Sequence, residues 1–356
     1  MTKNAPCLKI PKIHGERIIT TAHKFGIIDK ELEVQRNNSY IYVPLTRSLK
    51  LEELDRLREQ CPSLEVLEGS FQERRKYPRT IYEVLEGKMP PHLLACLPRA
   101  MDFVGDIAII EIPPELEAYK TEIGDAILQV HRSVRTVLAK AGAVKGEYRL
   151  REFSLIAGQP KTETIHREHG CQFHVDLAKA YFSPRLSHEH MRVASLVKEG
   201  ETIIDMFTGV GPFAILIAKT HENVKVYAID INPKAIELLK RNIRLNRVDG
   251  KIHPILGDAK QIIRQNLRGI ADRVIMNLPE KAIEFIEAAC EALKPEGGII
   301  HFYSFVKGSN GLETLKIRFT EEVEKYGRTV KAIFFSRFVR EIAPYEWQAV
   351  LDAEVS

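Results

Sequence analysis

Downstream of about Ser187, short apolar runs alternate regularly with stretches whose apolar residues recur at helical spacing. The pattern predicts a helix over Glu189–Glu199, a strand over Glu201–Phe207, a helix over Pro212–Lys219 and a strand over Val224–Asp230. A helix over Pro233–Asn246, strands over Ile252–Leu256 and Arg273–Asn277, a helix over Ala282–Leu293 and a strand over Gly298–Tyr303 follow. Such alternation implies a mostly parallel sheet covered by helices on both faces.

Upstream the texture differs. Residues 1–72 show short apolar runs such as Tyr40–Pro44, then an amphipathic helix within Ser48–Gln60. There Leu49, Leu51, Leu54 and Leu57 share a face and Pro62 acts as a stop. A basic segment, Arg74 to Arg79, opens a second stretch and reads equally as a solvated linker or a phosphate-contacting patch. Met101–Ile112 reads as a strand pair or bent strand turning at a glycine, and Glu115–Ala141 carries a helical pattern. Tyr148–Val175 returns to short β-like pieces. Three α/β domains are expected: 1–72, 73–186 and 187–356.

Composition narrows the class. A chain of 356 residues with net charge +4, 44% hydrophobic and 28% charged is an ordinary globular protein, not a disordered or collagen-like one. Five scattered cysteines without a CxxC pair point to free thiols in a reducing compartment. No segment has the apolar length of a membrane helix, and the first residues lack a secretory pattern, so the cytoplasm is expected. A pI of about 8.6 permits nucleic-acid binding without demanding it.

The chemistry starts at Asp205-Met-Phe-Thr-Gly-Val-Gly-Pro212, a strand running through a glycine turn into a helix. Glycines let backbone approach a ligand at the carboxyl edge of a sheet, and Pro212 suits a first helical turn. The third fingerprint glycine is replaced by Ala214, so this turn alone does not separate nicotinamide from S-adenosylmethionine binding. The next strands end at Asp230 and Asp258, and the fourth at Asn277-Leu278-Pro279. Asp230 is placed to accept from ribose hydroxyls and Asp258 from an adenine amino group. Each acid singly serves as well to cap a turn. Asp205, Asp230, Asp258 and Asn277 in order favour an adenosine-containing cofactor.

Tyr181-Phe-Ser-Pro-Arg-Leu-Ser-His-Glu-His190 precedes this domain. With Tyr148-Arg-Leu-Arg-Glu152, Gly170-Cys171, Val104–Pro113, the 205–213 run and Asn277-Leu-Pro279, it resembles the archaeal–eukaryotic tRNA (guanine-37-N1)-methyltransferase family. The resemblance runs from about residue 98 to the C-terminus, and more weakly to the first domain. It implies a Rossmann-like class I methyltransferase domain, S-adenosylmethionine as cofactor, and tRNA as partner through its anticodon loop and body. The implied cofactor site comprises His190, Asp205, Phe207, Gly209, Gly211, Asp230, Ile231, Asp258, Ala259 and Asn277.

Guanine N1 carries a proton at neutral pH, so transfer to it needs a base, alignment with the sulfonium methyl, and a cation for charge gathering on O6. The family's pattern places Glu189 as the base, with a pKa expected to be raised by burial; the competing reading is a helix N-terminal acid with Ser187 as cap. Arg149 is matched to the O6 contact, with Arg151 in reserve. Tyr181 would stack on the target base, and Asn277 and Pro279 would fix its edge. Family members often carry Arg where this chain has His190, which removes a permanent charge from the cofactor's carboxylate contact. His166, His169, Cys171 and His174 match no zinc spacing, so no metal is expected. A monomer is expected. The rivals are an aminocarboxypropyl transferase of wyosine synthesis using the same cofactor, a bifunctional enzyme that also methylates a wyosine precursor, and a non-catalytic tRNA-binding protein.

Overall fold

The alternation after Ser187 folds into a seven-stranded sheet. Its strands are β1 (Thr202–Asp205), β2 (Lys225–Asp230), β3 (Ile252–Leu256), β4 (Arg273–Met276), β5 (Gly298–Lys307), β6 (Val330–Ala343) and β7 (Glu346–Val355). The order is β3-β2-β1-β4-β5-β7-β6, with β1 to β5 parallel and β7 antiparallel to both its neighbours. The strand order reverses beside β1, which opens a crevice at the carboxyl ends of β1 and β4. The computed structural model describes residues 2–74, 78–142 and 146–356. Arg75, Lys76 and Tyr77 of the basic segment lie outside these.

Alternate side chains of the sheet enter two cores. Ile203, Val226, Ala228 and Ile275 pack with α1 (Ser187–Leu196), α2 (Pro212–Thr220) and α3 (Pro233–Asn246). Ile204, Ile229, Val274 and Met276 pack with α4 (Ala259–Asn266), α5 (Ile286–Ala292) and α6 (Gly311–Lys325). Burial on both faces is why these strands read as continuous apolar runs. The expected helix Ala282–Leu293 begins as a 3₁₀ turn over Ala282–Phe285, and the strand from Gly298 runs on to Lys307.

Residues 79–186 do not stand apart from this domain. Contacts divide the chain into two compact units, Met1–Pro78 and Arg79–Ser356, where three were expected. The reason is a shared core: Val104, Ile107, Phe173, Val175 and Leu177 belong to the cluster built on α1 to α3. The helical pattern expected over Glu115–Ala141 ends at Val130; Thr136–Lys140 is a buried strand paired in parallel with Ile107–Ile110. Strand pairing and the β-branched Thr-Val pair override the spacing there. The first unit is a four-stranded antiparallel sheet with helices Gly15–Lys24 and Leu51–Gln60. Its strand Thr2–Pro11 and its first helix were not expected from the pattern.

A chain of buried polar groups crosses the large sheet. Arg273 on β4, 1% exposed, donates to Glu201 at 2.9 Å and through Nη1 to His301 Nε2 at 2.8 Å. A guanidinium only donates, so Nε2 accepts and the proton of the neutral imidazole sits on Nδ1. That Nδ1 donates to Asp352 Oδ1 at 2.7 Å, and Asp352 also takes Arg192 of α1. Burial holds His301 below the ordinary histidine value despite Asp352. Asp352→Ala strands two buried donors and should cost about 3–5 kcal/mol in urea unfolding; a loss under about 1 kcal/mol would show that the chain of bonds is not a stability element.

Candidate cofactor and base site

The turn after β1 carries Gly209 at φ 56 and Gly211 at φ 91. Gly209 N–H donates to Asp230 Oδ2 at 2.7 Å, and Asn232 N–H donates to Oδ1 at 2.9 Å. The end of β2 is thereby fastened to the glycine turn. Burial pushes the Asp230 pKa up, and these two amides pull it back. Each oxygen keeps a lone pair for a further donor. Asp258 caps α4, accepting from Gln261 N–H at 3.0 Å.

Around these acids lies a cavity of about 190 Å³, lined by Phe207, Gly209, Asp230, Ile231, Asp258, Ala259 and Asn277 among the expected residues. Met206, Asn232, Ala235, Glu280, Lys281 and Phe285 line it as well. Phe285 stands edge-on to Phe207, centroids 4.9 Å apart. Apolar walls beside two carboxylates suit an adenosine: a flat ring, plus hydroxyl and amino donors. Asn232 was legible as a helix cap after Asp230; Phe285, from a 3₁₀ turn 55 residues beyond that acid, carried no local signal.

Arg149 and Tyr181 stand where this cavity meets a second one of about 400 Å³, and with Glu280 they line both. The Arg149 guanidinium lies 5.0 Å from the Tyr181 ring centroid, and its Nη2 donates to Glu280 Oε1 at 3.3 Å. Its Nε is buried without a partner, and its backbone is left-handed at φ 54. Arg151 lines the second of these cavities and not the first, and its Nη1 donates to Gly142 O. Lys140, Arg185 and Arg340 add cations to that cavity, against Asp102 and Glu341.

Several expected residues stand elsewhere. Gly211 does not line the cavity; a Cβ there would lie 2.3 Å from Leu239 Cδ1, so it is a packing glycine against α3. Pro279 is buried in the turn, its carbonyl accepting from Phe305 N–H, while Leu278 and Glu280 face the cavity. His190 is fully buried, its Nδ1 2.7 Å from Glu168 Oε1 and its ring edge-on to Phe213. Burial would raise the Glu168 pKa, but His166 and His190 outweigh it and hold it at about 2. His190 is thus the partner of Glu168 and not of a cavity ligand. His169 Nε2 faces the Ser187 carbonyl and hydroxyl at 2.9 Å, and Ser187 is the first residue of α1 rather than its cap.

Glu189 requires the largest correction. Its carboxylate is 1% exposed and does not line the cavity. Tyr303 Oη donates to Oε2 at 2.9 Å, Arg192 Nε donates to the same oxygen at 2.9 Å, and Arg337 grips Oε1. Burial raises the pKa, but Arg192, Tyr303 and Arg337 together lower it below the ordinary value, the reverse of the expectation. Asp205 also departs. It is fully buried and does not line the cavity, neither oxygen has a hydrogen-bond partner among the described residues, and burial pushes its pKa up to about 7.

A doubly wound sheet with a glycine turn, two acids and an Asn-Leu-Pro turn around one cavity at its carboxyl edge defines a class I methyltransferase domain. Residues 164–332 match the TRM5/TYW2 methyltransferase domain, 81–162 the TYW2 N-terminal domain, and 7–53 the tRNA methyltransferase 5 N-terminal domain. The chain is 39% identical over 349 residues to the tRNA (guanine(37)-N(1))-methyltransferase Trm5b of Pyrococcus abyssi, covering 98% of both. The solved complex of aTrm5 with tRNALeu superposes with a TM-score of 0.73 at 34% identity, over 98% of this chain and 99% of that one. The tRNA(Phe) (4-demethylwyosine(37)-C(7)) aminocarboxypropyltransferase of Pyrococcus horikoshii is 34% identical over 279 residues, 77% of this chain and 96% of that protein. The chain belongs to the TRM5/TYW2 family of tRNA-modifying transferases.

Asp205 yields a pH prediction. Its folded pKa of about 7 lies above the ordinary carboxylate value of about 3.9, so folding takes up a proton between them. The stability this contributes is complete at acid pH and is lost as pH rises through 7. Asp205→Asn removes the titration, so its unfolding free energy should gain on the wild type between about pH 4 and 7, by on the order of a few kcal/mol, and level off above pH 7. A stability difference that stays flat between pH 4 and 7 would refute the raised pKa.

Proposed function

We propose that the chain transfers the methyl group of S-adenosylmethionine to N1 of guanosine 37 in tRNA. The observation that carries this reading is the meeting of two cavities at Arg149 and Tyr181, one suited to adenosine and the other rich in cations. When bound, S-adenosylmethionine supplies an electrophilic methyl on a sulfonium. Asp230 and Asp258 hold the adenosine by its hydroxyl and amino donors, between Phe207, Ile231 and Ala259. The target base leaves the anticodon-loop stack and lies against Tyr181. Arg149 gives up Glu280 and donates to O6, where charge gathers as N1 loses its proton.

Glu189 takes that proton in this proposal. A lowered pKa keeps it ionised at neutral pH, as a base must be. At 1% exposure it meets a base only once Arg337, itself 37% exposed, lets go. The cavities draw their lining from one unit, so a monomer suffices; five free cysteines, four of them buried, suit the cytoplasm. Among the described residues no helix is long and apolar enough to cross a membrane.

Aminocarboxypropyl transfer is the second reading, favoured by the match of residues 81–162 to the TYW2 N-terminal domain. Mass spectrometry of the nucleoside separates the two by added mass. The primary test is incubation of the chain with labelled S-adenosylmethionine and unmodified tRNA transcripts. Label should enter guanosine-37 transcripts and vanish when that guanosine is replaced; label retained after replacement refutes the reading.

Arg149→Ala should slow single-turnover transfer by about 100-fold or more with cofactor affinity nearly unchanged. An unchanged rate removes Arg149 from the site. Because Arg337 lowers the Glu189 pKa, Arg337→Gln should move the acid limb of the single-turnover rate profile to higher pH. A profile that stays in place, or a wild-type rate for Glu189→Gln, removes Glu189 as the base.

A further inference from the structure

Arg340 on β6 and Gln348 on β7 are direct cross-strand partners. Arg340 Nε meets the side-chain amide of Gln348 at 2.9 Å. A guanidinium has donors only, so the Gln348 atom facing it is the oxygen. Gln348 is 1% exposed, and its amide nitrogen therefore turns the other way, donating to Asn277 Oδ1 at 3.2 Å. This leaves Asn277 with its NH₂ group for the cavity it lines, and no described residue accepts from that group. The same guanidinium donates to Ser183 Oγ at 3.1 Å and to Tyr181 Oη at 3.3 Å, so one cation orients both the stacking tyrosine and the asparagine.

We infer that Arg340 and Gln348 are positioning residues that fix Asn277 as a hydrogen-bond donor toward the bound base, selecting a purine with a carbonyl oxygen over one with an amino group. An unanchored asparagine reverses by a half-turn of its terminal torsion and offers an acceptor, which an adenine amino group would satisfy. Here the half-turn sets two amide donors face to face in a buried place, leaving both unsatisfied. Guanine O6 has two lone pairs, enough for Asn277 and Arg149 together. The inference rests on the guanosine-N1 reading and deepens it, naming what discriminates guanine and hypoxanthine from adenine.

Gln348→Glu is the decisive variant. A carboxylate keeps the Arg340 contact but only accepts, so Asn277 must turn its nitrogen toward residue 348 and present oxygen to the base. Single-turnover transfer to guanosine-37 transcripts at saturating cofactor should fall at least about tenfold, while cofactor affinity by calorimetry stays within about twofold. In an Asn277→Ala background the same change should cost nothing more. A wild-type rate for Gln348→Glu, or an equal loss in both backgrounds, overturns the inference. Should the buried carboxylate unfold the chain, Gln348→Leu frees Asn277 instead, and the ratio of transfer to guanosine-37 over adenosine-37 transcripts should drop; an unchanged ratio counts against it. If the wild-type chain methylates no guanosine-37 transcript, the functional reading fails by itself. Neutron diffraction then judges the orientation: deuterons on the Asn277 atom facing the cavity support it, and a bare oxygen there refutes it.

Discussion

The bond from Gly209 N–H to the Asp230 carboxylate organises the site. It ties the loop after β1 to the end of β2, and Asn232 locks the other oxygen at the start of α3. Gly209 brings its amide there from the left-handed region at φ 56, which glycine adopts without the steric cost a side chain would add. The carboxylate is buried at a real desolvation cost, which the two amides only partly offset. A ligand bringing further donors would finish the offset. The acid is therefore part of the fold and, at the same time, an unfinished hydrogen-bonding group at the cavity wall.

Buried charge elsewhere obeys the same rule of pairing. Glu189 and Asp352 share Arg192, and His301 and Arg273 continue the chain across the sheet. Glu168 is held between two histidines. Asp205 departs from the rule, with neither oxygen bonded among the described residues, and burial raises its pKa. Fixed donors and acceptors of this kind make a stiff frame. The more exposed members of these pairs are Arg337 at the sheet edge and Glu280 beside Arg149.

Much of the architecture was legible because its causes are local. Strand and helix periods between Thr202 and Leu256 reflect two-faced burial, and Pro233–Asn246 agrees to the residue. Asp230 and Asp258 line the cavity because strand direction in a parallel sheet brings every carboxyl end to one edge; Asp205, at the end of β1, does not. What escaped depends on distant partners. Tyr303 and Arg337 lie 114 and 148 residues beyond Glu189, and nothing near Glu189 announces the cage they form. His190 likewise finds Glu168 by tertiary packing alone. Motif position named these residues; only the fold shows what surrounds them.

Arg149 sets a conflict between durability and chemistry. A non-glycine residue in the left-handed region costs on the order of 1 kcal/mol, and this one also buries a donor without a partner. Glycine at 149 would relieve both burdens and discard the guanidinium that joins the two cavities. Selection for heat resistance alone would erode this position, so its retention in a lineage growing at high temperature would measure how strongly the reaction itself is under selection.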